Sequence, residues 1–283
     1  MDTINLFKTK QGEWLTNKDL LETLLKLEAD KCEVLYIHSA MSFGIPNMEL
    51  KTRGLMHEIC KVLDELKVAT LVMPTFTFSY PNGIIYDHNK SKTKMGTLND
   101  FFRKQEGVVR SFDPLMSVAV KGKDKGLALD VTTHSIGDNS TYDMIRNRDN
   151  VKFLFLGTRI GDCFTYMHYL EWLYGVNYRY ERRFVGTSII DGKEVRNEYD
   201  LFVRYNGVTP NGNTYVYEND MYKDKLAFKA NFGDSSISIV DKCPATFAYK
   251  VFLDKAPYYF VNLKDGIFNP DKTFLLENEM VAL

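Results

Sequence analysis

The sequence predicts an α/β fold grading into α+β: a central, largely parallel or mixed sheet with flanking helices, followed by a β-rich antiparallel carboxyl-terminal part. Three observations predict it. Short unbroken apolar runs alternate with an amphipathic helical stretch, each run halts in a small polar loop, and after Tyr178 recurrent glycines divide short alternating segments.

The first run, Glu33-Val34-Leu35-Tyr36-Ile37, reads as a buried strand that stops at His38-Ser39-Ala40-Met41-Ser42. From Met48 to Leu66 the apolar residues Met48, Leu55, Ile59, Val62, Leu63 and Leu66 recur at helical spacing. Ala69-Thr70-Leu71-Val72-Met73 is a second buried run, halted by Pro74. Strand, helix and strand make a βαβ unit whose natural arrangement is parallel. The pattern returns at Val151 to Leu156, followed by a loop to Asp162 and a helix starting near Phe164. Leu115 to Val120 predicts a further strand and Lys125 to Val131 a short helix. If the three apolar runs are parallel neighbours, His38 to Ser42, Pro74 to Ser79 and Gly157 to Thr165 leave one sheet edge together, where α/β folds bind ligands. Beyond Tyr178, runs such as Tyr199 to Tyr205 alternate in the manner of antiparallel hairpins. The expected division is residues 1–177 as an α/β part and residues 178–283 as a β-rich part, packed as one compact unit.

The 283 residues carry 36 Lys+Arg against 37 Asp+Glu, a formal charge of −1. No basic run supplies a footprint for nucleic-acid phosphates, so nucleic acid is not an expected partner. The longest apolar stretch, Val68 to Phe76, is far below the ~20 residues that cross a bilayer, and the amino terminus lacks a signal-peptide layout. Membrane attachment is therefore not expected either. Cys32, Cys60, Cys163 and Cys243 show neither zinc spacing nor a disulfide framework, which predicts reduced thiols in a cytoplasmic protein.

His168 and Glu171, three apart on a predicted helix, share the face that carries Phe164 and Met167. The carboxylate can fix one imidazole tautomer and raise its basicity, giving a general base. A structural pair is the bland alternative, and metal binding, which needs further ligands, is the other; no second metal-type spacing appears, so no metal is expected. Ser39 lacks the flanking glycines of a nucleophile elbow. Its loop better suits donation of amides and hydroxyls to phosphate, although no Walker or Gly-x-Gly-x-x-Gly sequence is present. Cys163 reads as a small buried residue rather than an acyl acceptor.

The motif order adds a resemblance. His38-Ser39-Ala40-Met41-Ser42, Thr70 to Thr77, Met95-Gly96-Thr97-Leu98 with Phe102-Arg103, Gly107-Val108-Val109-Arg110-Ser111-Phe112-Asp113-Pro114 with Ser117, and Leu156-Gly157 to Thr165, His168 and Glu171 together resemble the aminoglycoside 3-N-acetyltransferase family over residues 30 to 184. That resemblance implies an acyl-CoA co-substrate (acetyl-CoA or a longer acyl-CoA) and a small-molecule amino sugar acceptor whose primary amine attacks the thioester directly. It implies His168 as general base with Glu171 as its orienting partner. It also implies His38, Ser39, Ala40, Thr75, Arg110, Ser111 and Ser117 near the acyl-CoA, and Asp87, Thr77, Tyr80 and Asp113 near the acceptor. Two departures stand out: Asp113 occupies the place of a family His, and Ile45-Pro46-Asn47-Met48 replaces a glycine pair. A balanced charge does not suit a polycationic acceptor. Ten of the 17 tyrosines lie between Tyr166 and Tyr222 and suit stacking on a base or sugar. The expected acceptor is a nucleotide-linked (dTDP- or UDP-) amino dideoxysugar, as in the anthrose pathway, with an aminoglycoside as the alternative and a non-catalytic carbohydrate-binding protein as a remote one. Acyl chain and assembly state, a homodimer included, stay open.

Overall fold

A computed structural model describes residues 1–263. Its centre is a seven-stranded mixed sheet in the order Ala227–Phe232, Ser235–Asp241, Val151–Leu156, Val34–Ser39, Thr70–Pro74, Val118–Gly122, Val108–Arg110. The three apolar runs are its middle. Val34–Ser39 pairs in parallel with both Thr70–Pro74 and Val151–Leu156, placing Leu35 opposite Leu71 and Lys152. The outer pairings are antiparallel.

Why these runs are uninterrupted follows from what covers them. Tyr36, Val72, Phe153 and Phe155 point into one hydrophobic cluster, while Leu35, Ile37, Leu71, Met73, Leu154 and Leu156 point into another. Successive residues face opposite sides of a strand, so a sheet buried on both faces requires apolar residues at every position. The second cluster is roofed by the helix Lys51–Glu65 through Leu55, Met56, Ile59, Val62 and Leu63. The first is closed by Tyr166–Leu173 and Lys242–Lys255, with Tyr36 and Tyr142 joining hydroxyls at 3.0 Å within it.

Two expectations need correction. The helix predicted from Met48 begins at Lys51; Met48–Leu50 is a separate turn, capped by the Asn47 side chain, and Lys51 at φ 51° breaks the run. Met48 is left 79% exposed instead of joining the apolar face. The carboxyl-terminal part contains the expected hairpin, Arg179–Ile190 with Lys193–Arg204, turning through Asp191 and Gly192, both at positive φ. It also contains the helices Asn213–Lys223 and Lys242–Lys255, which the β-rich reading omitted. Pro244 sits in the first turn of the latter, where its missing N–H costs nothing. Strands on both sides of residue 178 share the central sheet, since Ile239 pairs with Leu154.

The carboxyl ends of the three parallel strands fall on one edge and release their loops there. Gly157 holds two of these loops together. It lies at φ 68°, its carbonyl accepts from the Ser42 hydroxyl, and a Cβ placed on it would stand 2.8 Å from the Ser42 nitrogen. Gly157→Ala is therefore expected to lower unfolding free energy by ~1–3 kcal/mol, read from a urea melt, through both the left-handed backbone and the overlap. An unchanged melting curve contradicts this placement.

Candidate active site

At that edge lies a cavity of about 340 Å³ bordered by residues from all three loops, among them His38, Ser39, Pro74, Phe76, Thr158, Cys163 and Thr165. His168 and Glu171 enter it from the helix Tyr166–Leu173, with Arg179 and Arg204 from the paired ends of the long hairpin. The sequence-predicted pair is in contact: His168 Nδ1 stands 3.1 Å from Glu171 Oε2. Glu171 is 4% exposed, and its other oxygen accepts from the Tyr178 hydroxyl at 2.8 Å. Arg179 completes the group, its Nη2 lying 2.8 Å from Glu171 Oε2 and 2.9 Å from His168 Nδ1, while Nη1 donates to the Phe202 carbonyl at 3.0 Å.

These contacts set the charge states. Burial pushes the Glu171 carboxyl up, but Arg179, then His168 and Tyr178, outweigh it and hold the group at about 2. Burial, reinforced by the Arg179 charge, lowers His168 from the ordinary histidine value despite Glu171. The expected rise in imidazole basicity is thus corrected: the carboxylate is present, but its charge is shared with a guanidinium. Burial and the Arg179 charge also bring Arg204 down to about 10. With Nδ1 engaged, Nε2 is the ring nitrogen left to act on a substrate in the cavity that His168 borders.

His38 borders the same cavity from the end of its strand, stacked on Phe155 at 5.1 Å and 13°. Burial takes it down to about 3, so it is neutral, and its Nε2 has no hydrogen-bond partner among the described residues. The Ser39 hydroxyl donates to Asn99 Oδ1 at 2.8 Å, and the Asn99 amide donates to the Pro74 carbonyl at 2.8 Å. One buried asparagine thereby clips two strand ends together. The Ala40 amide donates to Leu156. Ser39, Ala40 and Met41 also border a second cavity of about 510 Å³, with Met48, Lys51, Leu55, Met56, Gly96 and Thr97. Ser39 is common to both.

Other sequence-predicted residues lie away from these cavities. Arg110 is 5% exposed and donates to the carbonyls of Thr75 at 2.7 Å, Ser91 at 2.9 Å and His88 at 3.1 Å. Ser117 donates to the Thr75 carbonyl at 2.8 Å, and the Ser111 hydroxyl accepts from the Val118 amide at 3.0 Å. Together these groups anchor the loop that follows Thr70–Pro74. Asp87 accepts from the amides of Asn89 and Lys90 at a turn, Thr77 shares a hydrogen bond with Ser79, and the Tyr80 hydroxyl donates to Asn197. Asp113 accepts through one oxygen from Leu115 and Met116 amides and the Ser135 hydroxyl. The thiol of Cys163 is pushed up to about 12 by burial, which leaves no thiolate to take an acyl group. Among the described residues no group of three or more His, Cys, Asp or Glu is arranged to hold a metal ion, and no helix is long and apolar enough to cross a membrane.

No sequence pattern singles out Arg179, Tyr178, Arg204 or Asn99. Arg179 stands eight residues beyond Glu171, and nothing in its surroundings distinguishes it from the other cations of the chain.

A family profile described as aminoglycoside 3-N-acetyltransferase matches residues 37–246. The chain belongs to the aminoglycoside 3-N-acetyltransferase family. It is accordingly a CoA-dependent N-acyltransferase that uses acyl-CoA as co-substrate. Solved structures of aminoglycoside 3-N-acetyltransferases share its fold. The binary complex of AAC-IIIb with CoASH superposes with a TM-score of 0.73 at 16% identity, covering 85% of this chain and 97% of that one. The AAC(3)-IVa apoenzyme gives 0.71 at 20% identity, covering 91% and 95%. AAC-VIa bound to sisomicin gives 0.70 at 16%, covering 84% and 97%. No curated protein matches the sequence.

Asp113 supplies a test of the buried surroundings of this family member. Burial raises its carboxyl from 3.8 to about 6, so the folded state binds the proton more tightly than the unfolded chain. Stability is therefore expected to fall by roughly 2–3 kcal/mol as pH rises from 4 to 6, and Asp113→Asn, whose amide oxygen can keep the three accepted bonds, is expected to remove that slope in urea melts. An equal slope in wild type and variant contradicts the assignment.

Proposed function

We propose that the enzyme transfers the acyl group of acyl-CoA to the primary amine of an amino sugar, with a nucleotide-linked amino dideoxysugar as acceptor and His168 as general base. One observation carries this: His168, its Nδ1 held against a buried carboxylate, borders a cavity that meets a second one at Ser39. The amine nitrogen forms its bond to the acyl carbon as the C–S bond breaks, and CoA leaves as a thiolate that the amine's proton, relayed by His168, converts to the thiol. His168 accepts the proton that the nitrogen sheds. No covalent enzyme intermediate is needed, consistent with a Cys163 thiol held protonated.

The chain fits the co-substrate in kind. The second cavity offers Met48, Leu55 and Met56 for an apolar arm and Lys51 for phosphate, and it opens on the Ser39 loop. In this reading His38, Ser39 and Ala40 lie against the thioester end, while Thr75, Arg110, Ser111 and Ser117 hold the adjoining loop in shape. Residues 1–177 supply the acyl-CoA side. Residues 178–283 contribute to acceptor binding through Arg204, Thr214 and Tyr249, which border the first cavity.

Charge supports the acceptor class. Among the described residues the carboxylates bordering the first cavity are Asp162 and Glu171, and Glu171 is taken up by Arg179, so these residues supply no acidic excess of the kind a polycation requires. A nucleotide-linked sugar brings phosphates instead. An aminoglycoside acceptor is the second reading, favoured by the sisomicin-bound relative.

CoA thiol release, followed with a thiol reagent for acetyl- and longer acyl-CoAs, is expected with nucleotide-linked amino sugars at higher kcat/KM than with aminoglycosides. The reverse order favours the second reading. His168→Asn is expected to lower kcat at least ~10²-fold. Full activity in that variant, or no thiol release with any amine, contradicts the proposal.

A further inference from the structure

Arg179 touches both members of the predicted catalytic pair with the same nitrogen. Its Nη2 lies 2.8 Å from Glu171 Oε2 and 2.9 Å from His168 Nδ1, and the third side of the triangle, Nδ1 to Oε2, is 3.1 Å. A guanidinium only donates. Its approach to Nδ1 is a hydrogen bond only while Nδ1 carries no proton, whereas the approach of Nδ1 to the carboxylate is one only while Nδ1 carries it. The two demands compete on one atom. A doubly protonated ring worsens the conflict, because it places an imidazolium nitrogen 2.9 Å from a guanidinium nitrogen on a side chain only 2% exposed.

We propose that Arg179 is a positioning residue that keeps His168 in its neutral form, with Nδ1–H turned to Glu171 and Nε2 left to accept a proton, by sharing that carboxylate and setting its own positive charge beside the ring. This rests on His168 being the general base. A histidine beside an unshared buried carboxylate would gather a proton near neutral pH and be lost as a base. With Arg179 in place, the carboxylate orients the ring while its charge is spent mainly on the guanidinium. The lowered basicity of His168 agrees with this, burial being the first cause and the Arg179 charge the second.

Other titratable and charged groups border the cavity or touch Glu171. Glu171 lies on the same helix as His168; Tyr178 and Arg179 come from the start of the hairpin, and Arg204 from its end. Tyr249 comes from Lys242–Lys255, Asp162 and Cys163 from Ile160–Cys163, and His38 from the central sheet; all four border the same cavity. Arg179 stands within hydrogen-bond distance of Nδ1. Arg204 adds a weaker repulsion of the same sign.

The test is an NMR titration of the His168 imidazole, assigned with His168→Asn, in wild type and Arg179→Gln, alongside the pH profile of kcat/KM. In wild type, His168 is expected to titrate below the ordinary value of about 6.5. Arg179→Gln is expected to raise its midpoint by about one pH unit and to carry the acid limb of kcat/KM upward by the same amount. Arg179→Lys, which keeps the charge, is expected to stay closer to wild type than Arg179→Gln. A midpoint that does not rise in Arg179→Gln overturns the inference. If that variant does not fold, the same comparison is made with Arg179→Met, and a wild-type midpoint at or above 6.5 overturns the inference outright. A midpoint that rises while the acid limb stays in place upholds the role of Arg179 and contradicts His168 as the base, so the two readings fail separately.

Discussion

The buried ion pair between Glu171 and Arg179 is the constraint on which the site depends. Its side chains are 6% and 2% exposed, and a lone charge at either position would face a desolvation penalty of several kcal/mol. Each therefore requires the other. Because Glu171 belongs to the helix after the third parallel strand and Arg179 to the first residue of the long hairpin, the pair fixes where the carboxyl-terminal part meets the sheet edge. The Tyr178 hydroxyl and the Phe202 carbonyl complete the hydrogen bonding on either side. The same pair sets how much of the carboxylate His168 experiences. Architecture and acid–base behaviour thus share one electrostatic cause.

The floor beneath that pair is a consequence of strand direction. Three parallel strands must end on the same edge, and their loops are tied to one another at few points. Asn99 bridges Ser39 and Pro74, and Gly157 receives the Ser42 hydroxyl. Both ties use small or short polar groups, which leaves room for cavities on either side of Ser39. The buried Arg110 network does comparable work one loop further along, spending its guanidinium on carbonyls of its own chain. A cation in a motif that resembles a ligand contact can thus act by holding the loop that carries other contacts.

The sequence made the parallel centre legible because burial on both faces leaves an unmistakable record: Val34 to Ile37, Thr70 to Met73 and Val151 to Leu156 admit almost no polar residue. His168 and Glu171 were legible for a different reason, since helical spacing alone places them together. What was hidden depends on contacts distant in sequence. The helix Asn213–Lys223 buries Tyr217, Glu218 and Met221, with tyrosines and a valine that favour strands in isolation, so its helicity comes from packing. Its Glu218 accepts from Arg159 and the Gly161 amide, pairings that no local pattern announces. Arg179 was hidden likewise: its neighbours in the chain say nothing of the cavity it enters. Helical spacing brings His168 to Glu171 but shows neither the burial that lowers the imidazole nor the Arg179 charge that adds to it.

The most direct measurement is a double-mutant cycle on unfolding free energy with Glu171→Gln, Arg179→Gln and the combined variant. The account predicts that each single substitution, by leaving a buried charge without its partner, costs ~3–5 kcal/mol, and that the double variant is more stable than the sum of the two losses by at least ~1–2 kcal/mol. Additive losses, or single substitutions that leave stability unchanged, would contradict the claim that this pair organises the site.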